Sequence, residues 1–177
     1  MSDGSIAAGA TVQPDAFRAA CAQFATGVSV VMTSTSDGDF GVTVTAFTSL
    51  TLAPPQVIVC LAHTSNTWAA IRQARVFAVN VLAADQIELA RLFATKQPDK
   101  VRLIPAMAHR GVGGVPLLDG ALSTLECRLV DAIGQSTHVV LIGQVVRVEH
   151  DPNKTPALYF RSHLYEGFAA AVAHSGR

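Results

Sequence analysis

The chain has little charge of either sign. Asp, Glu, Lys and Arg together make up 15% of its 177 residues, whereas roughly 25% is usual for a soluble protein. Thirteen basic side chains balance thirteen acidic ones, so the net charge is zero and no field attracts nucleic acid. Nucleic acid is therefore not expected as a partner. Half of the residues are hydrophobic, and a surface this poor in charge favours burial of an apolar face between subunits.

The longest uncharged stretch is Phe40–Ile71, which contains no Asp, Glu, Lys or Arg. Its two consecutive prolines and several hydroxyl side chains are unsuited to a lipid-facing helix, so we interpret it as buried sheet and expect no membrane partner. No secretory signal is visible at the N-terminus. Cysteine is also scarce, and Cys21, Cys60 and Cys127 are too far apart for a CxxC metal site. Because all three lie in apolar runs, we expect them to be buried thiols of a cytoplasmic protein, without disulfides.

Several common enzyme motifs are absent. The sequence has no G-x-G-x-x-G after a strand, no Walker A lysine loop, no G-x-S-x-G elbow and no H-E-x-x-H. The six histidines are dispersed, and none pairs with another histidine or a cysteine at metal-ligand spacing. We expect no metal site, and we interpret four of these histidines as solvated: His63, His109, His150 and His174. No side chain is predicted to act as a catalytic acid, base or nucleophile.

The patterns along the chain predict a short tail followed by one domain. Residues 1–13 are rich in small side chains without an apolar period, and we expect them to be disordered. Residues 14–177 then form a single domain. After Pro14, apolar residues recur at helical spacing and predict an amphipathic helix that stops at Gly27. The apolar positions of this helix are Phe17, Cys21 and Phe24.

Apolar, β-branched runs predict strands for much of the rest. Ser36–Asp39 contains an Asp-Gly pair and is expected to join the first two strands as a hairpin. A short helix is expected to begin with Asn66 or Thr67 as its N-cap, and a longer one covers residues 85–94. The predicted strands are residues 28–33, 40–45, 56–62, 76–82, 122–133, 138–149 and 157–160. Because many of them are hairpin neighbours, we predict the α+β class and a small barrel, with residues 106–120 as an irregular connection.

Two segments contain polar groups of functional interest, and each has a structural alternative. The alternating threonines between Gly41 and Pro55 are typical of a ligand-lining strand, but also of the solvated face of a half-buried strand. Ser65-Asn66-Thr67 at a helix start provides hydroxyl and N–H donors for an anion, or serves only as a cap. Asn80 interrupts an apolar strand, where a buried amide either satisfies backbone groups or contacts a ligand. The residues alone leave these alternatives open.

Taken together, the segments resemble the flavin reductase family of the short, split-barrel, FMN-binding type. The resemblance covers nearly the whole chain, and it depends on the order and spacing of several segments. These are FRAACAQFATGVSVV, GVTVTAFTSLTLAPPQVIVCL, Ser65-Asn66-Thr67, FAVNVLAADQIELARLFA, DGALSTLECRL, HVVLIGQVVRVE and LYFR. The resemblance implies a split β-barrel with flanking short helices, a homodimer, and a flavin bound between the barrel and the partner subunit.

The resemblance also implies which residues contact the cofactors. Thr43, Val44, Thr45 and Ala46 stand where the family wraps the isoalloxazine ring and the ribityl chain, with Phe47 and Ser49 adjacent. Ser65, Asn66 and Thr67 stand where it holds the flavin phosphate. Where many members carry Gly-Asp-His, this chain has Ser136-Thr137-His138, which retains the histidine for the nicotinamide side and lacks the carboxylate. Tyr159 and Arg161 match the aromatic and basic C-terminal part approximately.

The implied reaction is hydride transfer from NADH or NADPH to FMN or FAD, followed by release of reduced flavin to a partner monooxygenase. Two other kinds of protein remain open. One is an FMN flavoprotein with a tightly bound prosthetic flavin, such as an oxidase or a nitroreductase, and the other is a non-catalytic flavin-binding module. The sequence selects neither NADH over NADPH nor FMN over FAD, because it contains no identifiable acidic ribose ligand or phosphate-binding arginine cluster.

Overall fold

The computed structural model describes residues 11–96 and 100–167. Most of the predicted disordered tail, and all of the chain after Gly167, lie outside the described residues. Four α-helices occur in the described ranges: Pro14–Cys21 (α1), Asn66–Ala74 (α2), Ile87–Ala94 (α3) and Lys100–Leu103 (α4). Two 3-10 turns, Ala84–Gln86 and Ile104–Ala106, precede α3 and follow α4. No helix in these ranges is long and apolar enough to cross a bilayer.

A seven-stranded antiparallel sheet forms the centre of the chain. Its strands are Ser29–Thr35 (β2), Gly38–Val44 (β3), Phe47–Leu52 (β4), Pro55–Ala62 (β5), Val76–Val81 (β6), Ser123–Gln135 (β9) and His138–His150 (β10). Their order across the sheet is β3-β2-β6-β9-β10-β5-β4. The chain is thus a mixed α/β fold with one large antiparallel sheet and few helices. The predicted Asp-Gly hairpin, β2–β3, is confirmed.

Two smaller sheets complete the strand set. Thr26–Gly27 (β1), Ala157–Phe160 (β11) and His163–Glu166 (β12) form one, and Ala108–Arg110 (β7) with Pro116–Leu118 (β8) form the other. The prediction of an irregular connection over residues 106–120 is therefore wrong in part, because β7 and β8 pair inside it. Strand β12 was not predicted, since its four residues mix polar and apolar side chains without a run.

The sheet is buried on both faces around β2, whereas β4 and the far half of the β9–β10 hairpin are largely exposed. On one face Val31, Phe77 and Leu141 pack with Ile71 of α2, and on the other Val30 and Met32 pack with Phe93 of α3. Because side chains alternate across a strand, a strand covered on both sides needs apolar residues at consecutive positions. This explains why β2 has the continuous run SVVMT.

Helix α1 differs from its prediction in two respects. It begins at Pro14 as expected, where proline's fixed φ suits the first helical turn, but it ends at Cys21 and not at Gly27. None of its residues is buried, and Phe17 and Phe24 are 63% and 75% exposed. The apolar face of this helix therefore has no partner among the described residues of its own chain.

The segment that carries β7 and β8 is attached to the sheet by two buried carboxylates. Arg110 forms a bidentate pair with Asp39, with Nη1 to Oδ1 at 2.7 Å and Nη2 to Oδ2 at 2.8 Å. Glu126 of β9 accepts the backbone N–H groups of Val112 and Gly113 at 3.1 and 3.0 Å. Because buried charges require partners, these bonds fix both ends of the 110–114 loop.

The long β9–β10 hairpin positions the functional residues. Both strands have 13 residues, and register shifts at Ile142/Gly143 and Val145/Arg147 bend the pair. A Cβ at Gly143 would lie 2.5 Å from the Phe77 ring, so only glycine fits this close contact. The bend allows the first half of β10 to pair with β5, where His138 lies opposite Ala62.

Candidate functional site

Three separate segments meet at the end of β5. The N–H of Cys60 donates to the carbonyl of Ala46 at 3.1 Å, which holds the β3–β4 connection against β5. One residue beyond the last strand pair, at Ala62, the N–H of His63 donates to the carbonyl of Thr137 at 3.0 Å. Helix α2 begins immediately afterwards. We call this region the β5 site and define it as residues 43–49, 63–67 and 137–138.

The β3–β4 connection presents backbone donors. Thr45 and Ala46 lie between the two strands, and their N–H groups make no hydrogen bond to other described residues. Thr43 is different, because its hydroxyl already donates to the carbonyl of Ala90 in α3 at 2.7 Å. Its oxygen can therefore only accept a further bond. Val44 is buried in the core and supports the connection from behind.

The residues that follow the connection divide between core and surface. Phe47 is half-buried and packs against the core on the α2 face of the sheet. Ser49 is exposed on β4, opposite Val57 of β5. Ser49 therefore lies at the surface of the β5 site, whereas the Phe47 side chain contributes to the core.

The start of α2 is an anion-binding arrangement of backbone groups. The N-cap is Ser65, whose Oγ accepts the N–H of Trp68 at 3.4 Å, so the prediction of Asn66 or Thr67 as the cap is wrong. The N–H groups of Asn66 and Thr67 have no acceptor among the described residues, and the first turn contains no acidic side chain. Such a helix end carries partial positive charge.

Thr67 lies directly at this helix end and is only 3% exposed. Its hydroxyl makes no hydrogen bond within residues 11–96 and 100–167, but it is not fully buried, because the one fully buried side-chain polar atom without a partner in these ranges is Thr26 Oγ1. The Thr67 oxygen therefore keeps some contact with solvent. Trp68, the next residue, packs its ring on the core. A ligand oxygen at the start of α2 would give the Thr67 hydroxyl the partner that the chain does not provide.

Two histidines border the site on the side of the β9–β10 turn. His138 is the first residue of β10 and is exposed, and its Nδ1 lies 2.9 Å from Oγ1 of Thr137. His63 was interpreted as a solvated loop residue, and it is exposed, yet its ring lies over Gly134 at the same turn. The sequence did contain one indication of this placement, because His63 lies between a buried strand and the cap residue Ser65.

Three other residues singled out from the sequence lie elsewhere. Tyr159 and Arg161 are at β11, where the Arg161 Nε donates to Gln23 Oε1 at 3.0 Å. The described hydrogen bonds of Arg161 therefore connect it to the segment after α1 and not to the β5 site. Asn80 donates to the Val30 carbonyl at 3.1 Å and accepts the Leu118 N–H at 2.8 Å, which confirms its structural interpretation.

Comparison of the sequence with models of known protein families identifies the family of this chain. Residues 21–167 match the profile of the family described as flavin reductase like domain. This chain belongs to that family.

Individual flavin reductases extend the likeness over most of the chain. The reductase component of 4-nitrophenol 4-monooxygenase/4-nitrocatechol 2-monooxygenase from Rhodococcus opacus is 40% identical over 145 residues, covering 82% of this chain and 76% of that protein. RutF of Cronobacter turicensis, an FMN reductase (NADH), is 33% identical over 153 residues, with coverages of 86% and 92%. The solved structure of the NADH:FAD oxidoreductase SgcE6 from Streptomyces globisporus is 29% identical, with a TM-score of 0.82 and coverages of 92% and 99%. The resemblance inferred from the sequence is confirmed.

The β5 site of this flavin reductase family member fits a flavin by its donor set. A flavin ring has several oxygen and nitrogen acceptors along one edge, and the free N–H groups of Thr45 and Ala46 are suitable donors for them. The phosphate suits the uncapped N–H groups at the start of α2. Among the described residues, no cluster of three His, Cys, Asp or Glu side chains could hold a metal ion. The backbone donors at Thr45, Ala46 and the start of α2 are what favour an organic, phosphate-bearing ligand.

Proposed function

We propose that this chain is an NAD(P)H:flavin oxidoreductase that reduces FMN or FAD and supplies the reduced flavin to a separate monooxygenase. The observation that carries the proposal is the β5 site, where β5 is hydrogen-bonded both to the connection that holds the unpaired donors of Thr45 and Ala46, through Cys60, and to the cap of the donor-rich α2, through Ala62. The reductases similar to this chain are named for NADH with FMN or FAD, and the Rhodococcus opacus relative is a monooxygenase component. These names support both the cofactors and the partner.

The flavin is held by uncharged groups in this proposal. Thr45 and Ala46 donate their N–H groups to the ring, and Thr43 contributes an acceptor because its proton is committed to Ala90. Ser49 borders the ring at the surface. All of these groups are uncharged. Weak contacts of this kind suit a flavin that has to leave after each turnover. We also propose flavin contacts from Val44, Phe47, Ser65, Asn66 and Thr67. Tyr159 and Arg161, which lie at β11 outside the β5 site, are assigned no contact within the same chain.

In this reaction the main role of the protein is to orient the flavin and the nicotinamide nucleotide relative to each other. Bound flavin would supply the acceptor for a hydride from the nicotinamide. His138 borders the β5 site and is proposed to contact the nicotinamide nucleotide, while α2 fixes the phosphate. Holding two reactants in register lowers the barrier by several kcal/mol without an acid or base. No residue is assigned a proton-transfer role.

A homodimer completes the proposed site. Exposed large apolar side chains occur in groups of two or more at α1, on β4 and on the β9–β10 hairpin, and a single chain leaves them in water. They are Phe17 and Phe24 at α1, Leu50 and Leu52 on β4, and Val130, Ile133, Val146 and Val148 on the β9–β10 hairpin. Burial of such faces in a stable dimer removes on the order of 2,000 Å² or more from water. We also propose that residues 14–177 form one domain, in which the seven-stranded sheet curves into a split barrel.

The cytoplasm is the proposed location, because it holds the pyridine nucleotides and keeps free thiols reduced. Cys21, Cys60 and Cys127 are all unbridged. The prediction that all three are buried is wrong for Cys21, which is exposed because α1 buries none of its residues, and only Cys127 is fully buried.

A matrix of cofactors tests the function directly. Purified protein is mixed with NADH or NADPH and with FMN, FAD or riboflavin, and the loss of nicotinamide absorbance is followed. We expect turnover that depends on added flavin. Stoichiometric yellow flavin that does not exchange would instead identify a prosthetic flavoprotein. Flavin binding without nicotinamide oxidation would contradict the proposal and identify a binding module.

A further inference from the structure

At the β9–β10 turn, the side chain of Thr137 is hydrogen-bonded to the ring of the next residue, His138. Oγ1 of Thr137 lies 2.9 Å from Nδ1 of His138, within the usual length of a hydrogen bond. The main chain on both sides is fixed: the Thr137 carbonyl accepts the His63 N–H at 3.0 Å, and His138 pairs with Ala62 of β5 and Gln135 of β9. The hydroxyl and the imidazole therefore meet on a rigid backbone.

This bond leaves one ring nitrogen for a ligand. Both side chains are exposed, and Nε2 of His138 has no partner among the described residues. A hydroxyl both donates and accepts, so Thr137 donates to Nδ1 when the ring proton is on Nε2. The ring then presents Nε2–H, the form that can donate to a carboxamide oxygen or to a phosphate oxygen. An orienting group on the second nitrogen is a common way to fix the direction and tautomer of a histidine.

We propose that Thr137 is a positioning residue, which holds the imidazole of His138 so that its Nε2–H is directed at the nicotinamide nucleotide. The inference rests on the proposed function, since it deepens the role given there to His138. Thr137 itself contacts neither cofactor. Its effect on binding passes entirely through His138.

Removal of the hydroxyl tests the proposal. Thr137→Val keeps the β-branched shape and loses the bond, whereas Thr137→Ser keeps the bond. We expect Thr137→Val to raise the KM for NADH about three- to tenfold, with kcat at saturating NADH and the Kd for FMN within twofold of wild type. Thr137→Ser should restore the KM to within twofold. A matched control is Thr35→Val at the far end of the β2–β3 hairpin, where Oγ1 accepts the Asp37 N–H at 3.1 Å; its KM should not change.

A double-mutant cycle separates positioning from a general structural effect. In a His138→Ala background the change Thr137→Val should add less than twofold to the KM, because the ring that Thr137 orients is absent. A full additional increase in that background would overturn the proposal, as would failure of Thr137→Ser to restore the KM. The ¹⁵N chemical shifts of His138 supply a second measurement, and an Nδ1 shift that is the same in wild type and Thr137→Val would also overturn it.

Failure of this inference is distinguishable from failure of the proposed function. If His138→Ala leaves the KM for NADH unchanged while flavin reduction proceeds, Thr137 has no ligand-binding group to position and the inference is wrong, although the reductase activity stands. If wild-type protein oxidises neither NADH nor NADPH with any flavin, the proposed function itself has failed.

Discussion

Replacement of Thr67 by valine separates phosphate binding from helix stability at the start of α2. The side chain is 3% exposed, and its hydroxyl makes no hydrogen bond within the described part of the chain. Valine has nearly the same shape, so the core contacts remain and no protein hydrogen bond is lost. We therefore expect the free energy of unfolding without ligand to change by about 0.5 kcal/mol or less.

The effect on FMN should be much larger. A hydrogen bond to a charged group contributes about 1.5 to 3 kcal/mol, and each 1.4 kcal/mol is a factor of ten in affinity. Thr67→Val should then weaken FMN binding about 10- to 150-fold. Riboflavin has no phosphate, so its Kd should stay within about twofold of wild type. Fluorescence titration of both flavins against the same protein samples gives the two ratios.

Ser65→Ala is a comparison variant for this experiment, because Ser65 is both the helix cap and a proposed flavin contact, so its stability and its flavin affinity should fall together. It removes the cap bond from Trp68 N–H to Ser65 Oγ and should lower the free energy of unfolding by about 1 kcal/mol. A structural defect of this kind loosens the helix start, whereas Thr67→Val should not change the melting temperature. Equal losses for FMN and riboflavin in Thr67→Val, or no loss for either, would refute a phosphate contact at Thr67.

Three further perturbations test the interface, a loop contact and a buried thiol. Val148→Asp places a charge on an exposed apolar strand position, and sedimentation should show monomers with weakened flavin binding; a fully active monomer would contradict the shared site. Gly111→Ala puts a methyl group onto the hydrogen-bonded carboxylate of Glu126 and should cost about 1 to 3 kcal/mol in urea unfolding, whereas at Gly113 the nearest atom is 3.7 Å away and the same change should cost little. Burial raises the pKa of the Cys127 thiol to about 12, with the neighbouring Glu126 charge adding to the shift. The unfolded thiol loses its proton near pH 8.5, so stability should fall above that pH by up to about 1.4 kcal/mol per unit, and Cys127→Ala should show a smaller slope.

Apolar runs predicted most of the central sheet because burial on two faces leaves a strong local pattern. The strands around Val31, Phe77 and Leu141 are of this kind. The end of α1 could not be predicted in the same way. Phe24 continues the helical spacing beyond Cys21, although its side chain is 75% exposed. A local sequence pattern shows which residues are apolar, but it does not show which other part of the protein packs against them.

The site was predictable where its residues are adjacent in sequence. Ser65, Asn66 and Thr67 are all good cap formers, so the sequence located the helix start but could not choose the cap. The bond from Thr43 to the Ala90 carbonyl joins residues 47 positions apart, and no local signal reports it. Two arrangements in the site depend on pairing between strands that are distant in sequence, so local patterns could not predict them. The His63 ring lies over Gly134 near the β9–β10 turn, and the backbone that carries Thr137 and His138 is held by the His63 N–H.

The pairing of β5 with β10 also constrains how the chain acquires its binding surface during folding. Residues 56–62 must find residues 138–144, which are roughly 80 positions away, and a sheet dominated by such distant partners folds slowly compared with one built from local contacts. Before that step the β3–β4 connection and the start of α2 have no β10 beside them, and the edge of β5 is open to pairing with other chains. A chain emerging from the ribosome therefore gains flavin affinity only after its last long strand is available. Flavin present during refolding would stabilise the finished sheet without accelerating its assembly.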